Sequence, residues 1–220
     1  MTHALYGSRG SGSAAVEIAL GLCGVPFRLV HASSWEPDSA LEELGRINPL
    51  RQIPTLVLPD GGVLTESAAI LIHLGLTHPA SGLLPGDVAA RASALRGLVF
   101  IAANCYAAIS VGDYPQRWTT ATTAEAQEQV RQAARSQLHN SWTIFADTFG
   151  ARPFLSGPSL GALDLLAAVV SMWSGSRAHL KQQRADFMTV IHRIEAHPAV
   201  TPVFRAHWPK HRTEAGQSES

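Results

Sequence analysis

Every strand-like run in this 220-residue sequence lies in its first third, and that asymmetry limits the fold more than any other feature. His3-Ala4-Leu5-Tyr6 reads as a short strand. A glycine-serine turn follows, Gly7-Ser8-Arg9-Gly10-Ser11-Gly12-Ser13. Residues 14–23 then read as a helix, with Val16, Leu20 and Cys23 at i, i+4 and i+7 on one face. Gly24 sits just past its end, and Phe27-Arg28-Leu29-Val30 is a second strand. This order predicts a parallel pair joined by a right-handed crossover. Next, Asp38 or Ser39 is placed to cap a short helix over 40–45, and Asn48-Pro49 turns the chain. Thr55-Leu56-Val57-Leu58 is a third strand, Asp60-Gly61-Gly62 a hairpin signal, and Val63-Leu64 the start of a return strand. Thr65 reads as the cap of a helix over 66–76. The order βαβ then ββα predicts a mixed four-stranded sheet with helices packed on it.

Beyond His78-Pro79 the strand signals stop. Thr122 and Glu125 have capping-box spacing. They open a long helix with an apolar stripe of Val130, Ala134, Leu138, Trp142, Phe145 and Phe149. Phe187, Val190, Ile191 and Ile194 mark another helix, which ends before His197-Pro198. The expected organisation is an α/β domain over 1–78, a linker over 79–86, an all-helical domain over 87–210 and a polar, frayed tail over 211–220.

Composition narrows the function classes. At 46 % hydrophobic and 15 % charged, the chain has a core to bury. Its 17 Lys and Arg balance 17 Asp and Glu, which gives no electrostatic pull toward nucleic acid or an anionic membrane. Two cysteines make neither a disulfide scaffold nor a four-thiolate metal site. The amino terminus lacks the basic and long apolar segments of a leader. The apolar run 160–173 falls short of the ~20 residues a bilayer needs and reads as a buried helix. The expectation is a cytoplasmic protein with no nucleic-acid or membrane partner and no metal.

Three motifs carry chemistry. Gly10-Ser11-Gly12-Ser13-Ala14-Ala15 matches G-x-G-x-x-A between a strand and a helix. A dinucleotide domain needs further βα units, however, and strand two ends in His31 rather than an acid. The turn is then either a plain connection or a helix N-terminus that stabilises another anion, such as a thiolate. In Asn48-Pro49-Leu50-Arg51-Gln52-Ile53-Pro54-Thr55-Leu56, a proline directly precedes a strand. A cis Ile53-Pro54 bond would present the Ile53 backbone to an extended peptide, whereas a trans bond would simply start the strand. In Leu64-Thr65-Glu66-Ser67-Ala68-Ala69-Ile70, Glu66 and Ser67 fall on a first helical turn. They either cap it or hold the ammonium and carboxylate of an α-amino acid head.

Together with His78-Pro79, Leu83-Leu84-Pro85, Arg152-Pro153-Phe154-Leu155-Ser156-Gly157 and Asp164 in its apolar helix, these motifs resemble the cytosolic glutathione S-transferase family, bacterial members in particular. The resemblance spans nearly the whole chain. It implies a thioredoxin-like glutathione-binding domain followed by the helical domain, a homodimer, and a detoxifying transferase that takes glutathione as co-substrate and a small apolar electrophile. The alternatives are a non-catalytic glutathione- or ligand-binding protein of this fold, or a glutathione-dependent isomerase, dehalogenase or peroxidase. By resemblance, Ile53 beside Pro54 pairs with the cysteinyl unit, Glu66 and Ser67 hold the γ-glutamyl head, and Gln52 or Arg51 reaches the glycyl end. Asp164 braces the buried helix, with Gly161 where the family usually has a capping serine or threonine. The hydroxyl at the sulfur is Ser11 by one alignment, with Ser13 and Tyr6 behind it. The alternative register puts Gly10 there and leaves backbone N–H groups as donors.

The second substrate is expected near Phe100, Tyr106, Tyr114 and Trp118, each of which has core or rim packing as its plainer reading. Asp113 is adjacent to this set, or merely a turn residue. Cys23 and Cys105 read as buried, inert thiols. His207 and His211 have ligand spacing, but Pro209 breaks the helical face between them. Arg131 and Arg135 read as a solvated helix face.

Overall fold

The computed structural model describes residues 2–36 and 38–210, so the expected tail and His211 lie outside the described residues. Strand β1 (His3–Gly7), helix α1 (Ser13–Leu22) and β2 (Phe27–His31) form the first unit. Helix α2 (Leu41–Ile47), β3 (Thr55–Val57), β4 (Val63–Thr65) and α3 (Ser67–Thr77) follow. The sheet has the order β2-β1-β3-β4, with β1 parallel to β2 and the remaining pairs antiparallel. Leu5 faces Leu29 on one side and Leu56 on the other.

Strand alternation divides the side chains between two layers. Leu5 and Leu56 join α1 and α3 in the main core. Ala4 and Tyr6 pack the other way, with Ala32 and Leu44, under α2.

The rest of the described chain is helical: a 3-10 turn at Pro79–Ser81, α4 (Val88–Phe100), a π-helical segment Ile101–Tyr106, α5 (Ala107–Asp113) and a 3-10 turn at Pro115–Arg117. Then come α6 (Ala124–Phe149), α7 (Ala162–Val170), α8 (Ser176–Gln183), α9 (Ala185–Glu195) and α10 (Thr201–His207). All of α7 is buried, and α6 buries the stripe from Ala134 to Phe149. Helix α1 packs on α3 from the sheet-bearing half and on α7 and α10 from the helical half, so one apolar core runs through both halves.

Three expected caps sit elsewhere. Thr65 closes β4, and the residue before α3 is Glu66, with φ 62° and no capping hydrogen bond. Thr123, not Thr122, caps α6 by accepting from the Ala126 N–H, so Thr122 and Glu125 form no capping box. Asp38 has φ 61° and Ser39 Oγ donates to the Ser33 carbonyl, so neither caps α2. A cap works only where its oxygen lies over the first free N–H groups, and these backbone directions carry the side chains elsewhere.

A longer apolar helical run than 160–173 is present. Helix α4, the π segment and α5 join without a break as Val88–Asp113, long and apolar enough to cross a bilayer. In the fold this run packs on α6 and α7.

Candidate functional site

A cleft of about 440 Å³ opens between the two halves, within the usual size of small-molecule sites. Arg51, Gln52, Ile53, Pro54, Glu66 and Ser67 all line it, as does Ser11. The opposite wall is helical and includes Tyr106, Ile109, Asp113, Tyr114 and Trp173.

The loop before β3 is held from within. Asn48, almost fully buried, donates through Nδ2 to the Gln52 carbonyl (3.1 Å) and to Thr55 Oγ1 (3.0 Å). Its Oδ1 accepts from the Leu50 N–H (3.1 Å), while Thr55 Oγ1 donates to the Gln52 carbonyl (2.8 Å). This clamp sets residues 51–54 along the cleft, and the Ile53-Pro54 bond is cis. Arg51, at φ 52°, lies over Gly45, where a Cβ would come within 2.8 Å of the Arg51 Nε.

Glu66 and Ser67 reach the cleft at the tip of α3. The first N–H groups of a helix have no partner in the helix itself, and here no side chain caps them. An uncapped, positively polarised helix tip on a cavity favours a carboxylate.

The Ser11 and Ser13 hydroxyls are hydrogen-bonded within the turn. Ser11 Oγ donates to the Ser8 carbonyl (2.7 Å) and accepts from the Ser8 N–H (3.4 Å) and the Ser13 N–H (3.2 Å). Ser13 is fully buried, does not line the cleft, and its hydroxyl shares a hydrogen bond with Ser11 Oγ (3.0 Å) beside Glu17 Oε1 (3.2 Å) and the Ser8 carbonyl (3.3 Å). His207, on α10, links to Glu17 Oε1 through Nε2 (2.8 Å), and its Nδ1 accepts the Gly10 N–H (3.1 Å).

Tyr6 is not part of the cleft. Strand alternation sends it under α2, where its hydroxyl donates to Glu43, and burial with the Glu43 bond raises its pKa. Of the four residues expected around the second substrate, Tyr106 and Tyr114 line the cleft. Phe100 does not: six residues from Tyr106, it falls on another face and packs between Phe145 and Phe149. Trp118 follows the 3-10 turn, is 61 % exposed and also lies outside the cleft lining.

Burial pushes the Tyr106 phenol up to about 12, with the charges of Glu66 and Asp113 adding to the effect. It also raises the Asp113 carboxyl. The Cys105 thiol is pushed up to about 12 by burial, and Cys23 is raised by the same cause. Among the described residues no group of three or more His, Cys, Asp or Glu is placed to hold a metal. Trp35, Ser110 and Trp173 line the cleft without any motif to announce them.

Residues 13–76 match the family described as glutathione S-transferase, N-terminal domain. Over 202 residues the chain is 26 % identical to the uncharacterized GST-like protein YncG of Escherichia coli strain K12, covering 91 % of this chain and 96 % of the relative. Over 88 residues it is 46 % identical to a probable maleylacetoacetate isomerase of Caenorhabditis elegans, covering 39 % of each. A glutathione S-transferase structure from Methylobacterium radiotolerans, in complex with glutathione sulfonate, has a TM-score of 0.71 and 26 % identity, covering 92 % of this chain and 94 % of that one.

Proposed function

We propose, for a chain that belongs to the glutathione S-transferase family, that the cleft binds glutathione and directs its thiolate at a small apolar electrophile. One observation carries the reading: the cis Ile53-Pro54 corner and the uncapped tip of α3 line the same cleft. They suit the two ends of a γ-linked tripeptide. The Ile53 backbone pairs with the cysteinyl unit as an added strand would. Ser67 and the free N–H groups of α3 hold the γ-glutamyl carboxylate, and Glu66 meets its ammonium. Arg51 and Gln52 take the glycyl carboxylate.

A free thiol near pKa ~8.5 is only a few per cent ionised at neutral pH. Lowering that pKa by two units corresponds to ~2.7 kcal/mol of preference for the anion. The N-terminus of α1 contributes part of this. The thiolate then forms an S–C bond at the electrophilic carbon. The leaving group departs with the bonding pair, and the thiol proton has already gone to solvent. Ile109, Tyr114 and Trp173 supply an apolar wall for the electrophile.

A second reading is a glutathione-dependent isomerase, favoured by the 46 % identity to the nematode protein over 88 residues. The thiolate adds to a carbon–carbon double bond, the adduct rotates, and expulsion of the thiolate regenerates it. A cytoplasmic homodimer fits either reading. The experiment is retention on immobilised glutathione followed by assays with a generic aryl halide and with maleylacetoacetate. Conjugation supports the transferase, conversion of maleylacetoacetate supports the isomerase, and retention without turnover supports a carrier. Failure to be retained refutes all three.

A further inference from the structure

The hydroxyls of the serine turn are already committed. A serine hydroxyl has one proton and two lone pairs. The Ser11 proton goes to the Ser8 carbonyl, and its oxygen already accepts two backbone N–H groups. The Ser13 hydroxyl lies within bonding distance of Ser11 Oγ (3.0 Å), Glu17 Oε1 (3.2 Å) and the same carbonyl (3.3 Å), so its proton has a partner at the turn whichever it takes. The Gly10 N–H is taken as well, donated to His207 Nδ1. With Nδ1 an acceptor, the His207 proton sits on Nε2 and points at Glu17. From Gly10 to Ser13 the turn is tied to α10, nearly two hundred residues away in sequence, and the donors that hold it are used in holding it.

A donor on the opposite wall of the cleft, set against this turn, is uncommitted. Tyr106 ends the π-helical segment, lines the cleft, and makes no hydrogen bond with a described residue. Its ring is set by tilted packing on Trp173, with centroids 5.7 Å apart. Its hydroxyl lies against Gly12, at the N-cap of α1. A Cβ built on Gly12 would come within 2.6 Å of the Tyr106 hydroxyl oxygen and 3.4 Å of the Pro54 Cδ. Gly12 has φ −63°, which any residue adopts, so space for the phenol is what glycine provides there. The phenol, the tip of α1 and the ring of Pro54 meet at one point, beside the Ile53 backbone to which the glutathione reading assigns the cysteinyl unit. Single π turns of this kind recur at functional sites.

We propose that Tyr106, from the helical half of the chain, is the catalytic hydroxyl that donates to the glutathione sulfur, and that the serines shape the turn instead. This rests on the glutathione reading above. The phenol keeps its own proton throughout and donates a hydrogen bond to the thiolate. The thiol proton leaves to solvent. Burial suits the group to this role, since a phenol with a pKa of about 12 stays neutral at every pH where the thiolate forms.

The test compares the intact chain with Tyr106→Phe, Gly12→Ala, their combination and Ser11→Ala. Calorimetry gives the glutathione affinity, ultraviolet titration gives the bound thiol pKa, and aryl-halide conjugation gives kcat/KM. Tyr106→Phe is expected to raise the bound thiol pKa by about one to two units and to lower kcat/KM at neutral pH about 10- to 100-fold, with glutathione affinity changed less than about threefold. Gly12→Ala, which pushes the phenol away while keeping it, shifts the pKa in the same direction. The double variant is no worse than the worse single, because both remove one contact. Ser11→Ala raises the pKa less than Tyr106→Phe and lowers the melting temperature. A bound thiol pKa unmoved by Tyr106→Phe overturns the assignment, including when only the rate with carbonyl-bearing electrophiles falls. Absence of glutathione binding in the intact chain overturns the underlying reading, and the assignment with it.

Discussion

Glu66 holds a backbone conformation that an L residue rarely adopts, φ 62° and ψ 112°, at the tip of α3. Its ψ lies beyond the ordinary left-handed well, so a strain of about 1–3 kcal/mol is assigned to it. The side chain makes no hydrogen bond with a described residue, so it does not offset that strain in the free protein. Replacement by alanine and by glycine isolates the backbone. Both remove the carboxylate, but only glycine relieves the conformation. At an ordinary position glycine is less stable than alanine by roughly 0.5–1 kcal/mol. At 66 the order inverts, and Glu66→Gly exceeds Glu66→Ala by about 1 kcal/mol. Urea denaturation of the two variants reads this as a shift in midpoint at constant slope. Losing a charge-assisted hydrogen bond of roughly 1.5–3 kcal/mol also weakens glutathione about 10- to 150-fold in both variants, measured by calorimetry. Glu66→Gly less stable than Glu66→Ala would refute the argument that strain is stored at this site.

Asp164 is fully buried and accepts the Leu155 N–H (2.7 Å), the Ser156 N–H (3.2 Å) and the Gly161 N–H (2.9 Å). Asp164→Asn, even in its better flip, sets an amide donor against one backbone donor, and a loss of about 2–4 kcal/mol is expected in chemical denaturation. Gly161→Ser tests the capping argument. A serine would gain a few tenths of a kcal/mol as a cap, but a Cβ here lies 2.5 Å from Ser156 Oγ and 3.0 Å from the Leu83 carbonyl oxygen. Destabilisation by about 1–3 kcal/mol is therefore expected, and a raised melting temperature would reverse the reasoning. Alkaline stability follows from two buried acids. The Cys105 thiol rises from 9.0 to about 12 and the Tyr106 phenol from 10.0 to about 12. In this window the folded chain holds protons that the unfolded chain has lost, so stability is full below pH 9 and falls as pH rises toward 12. Melting curves across that range should show the loss. Cys105→Ala should remove the part that begins near pH 9, and an unchanged profile in that variant would contradict it.

Local pattern carried much of this fold and failed at identifiable places. The strand and helix order of the first 77 residues needs only period-two runs, a glycine turn and Asp60-Gly61-Gly62, all local signals. The placement of Ile53-Pro54 and Glu66-Ser67 on the cleft follows from equally local signals, since each is a contiguous motif at the start of a strand or helix. Tyr6 was misplaced because its alternation partner Leu5 faces α1, which sends Tyr6 under α2. The caps slipped by one residue where the expected threonine belonged to a strand or preceded the true cap. The serine turn was harder. Its motif shows three hydroxyls, but their availability depends on the Ser8 carbonyl, Glu17 and His207. The pairing of Gly12 with Tyr106 crosses from one half of the chain to the other, and no spacing rule connects them.

The position of α1 has a further consequence for how the cleft works. It lies against α3, α7 and α10 at once, a keel common to both halves. The floor and the roof of the cleft therefore rest on one shared helix, and a substitution on its buried face disturbs both walls at once.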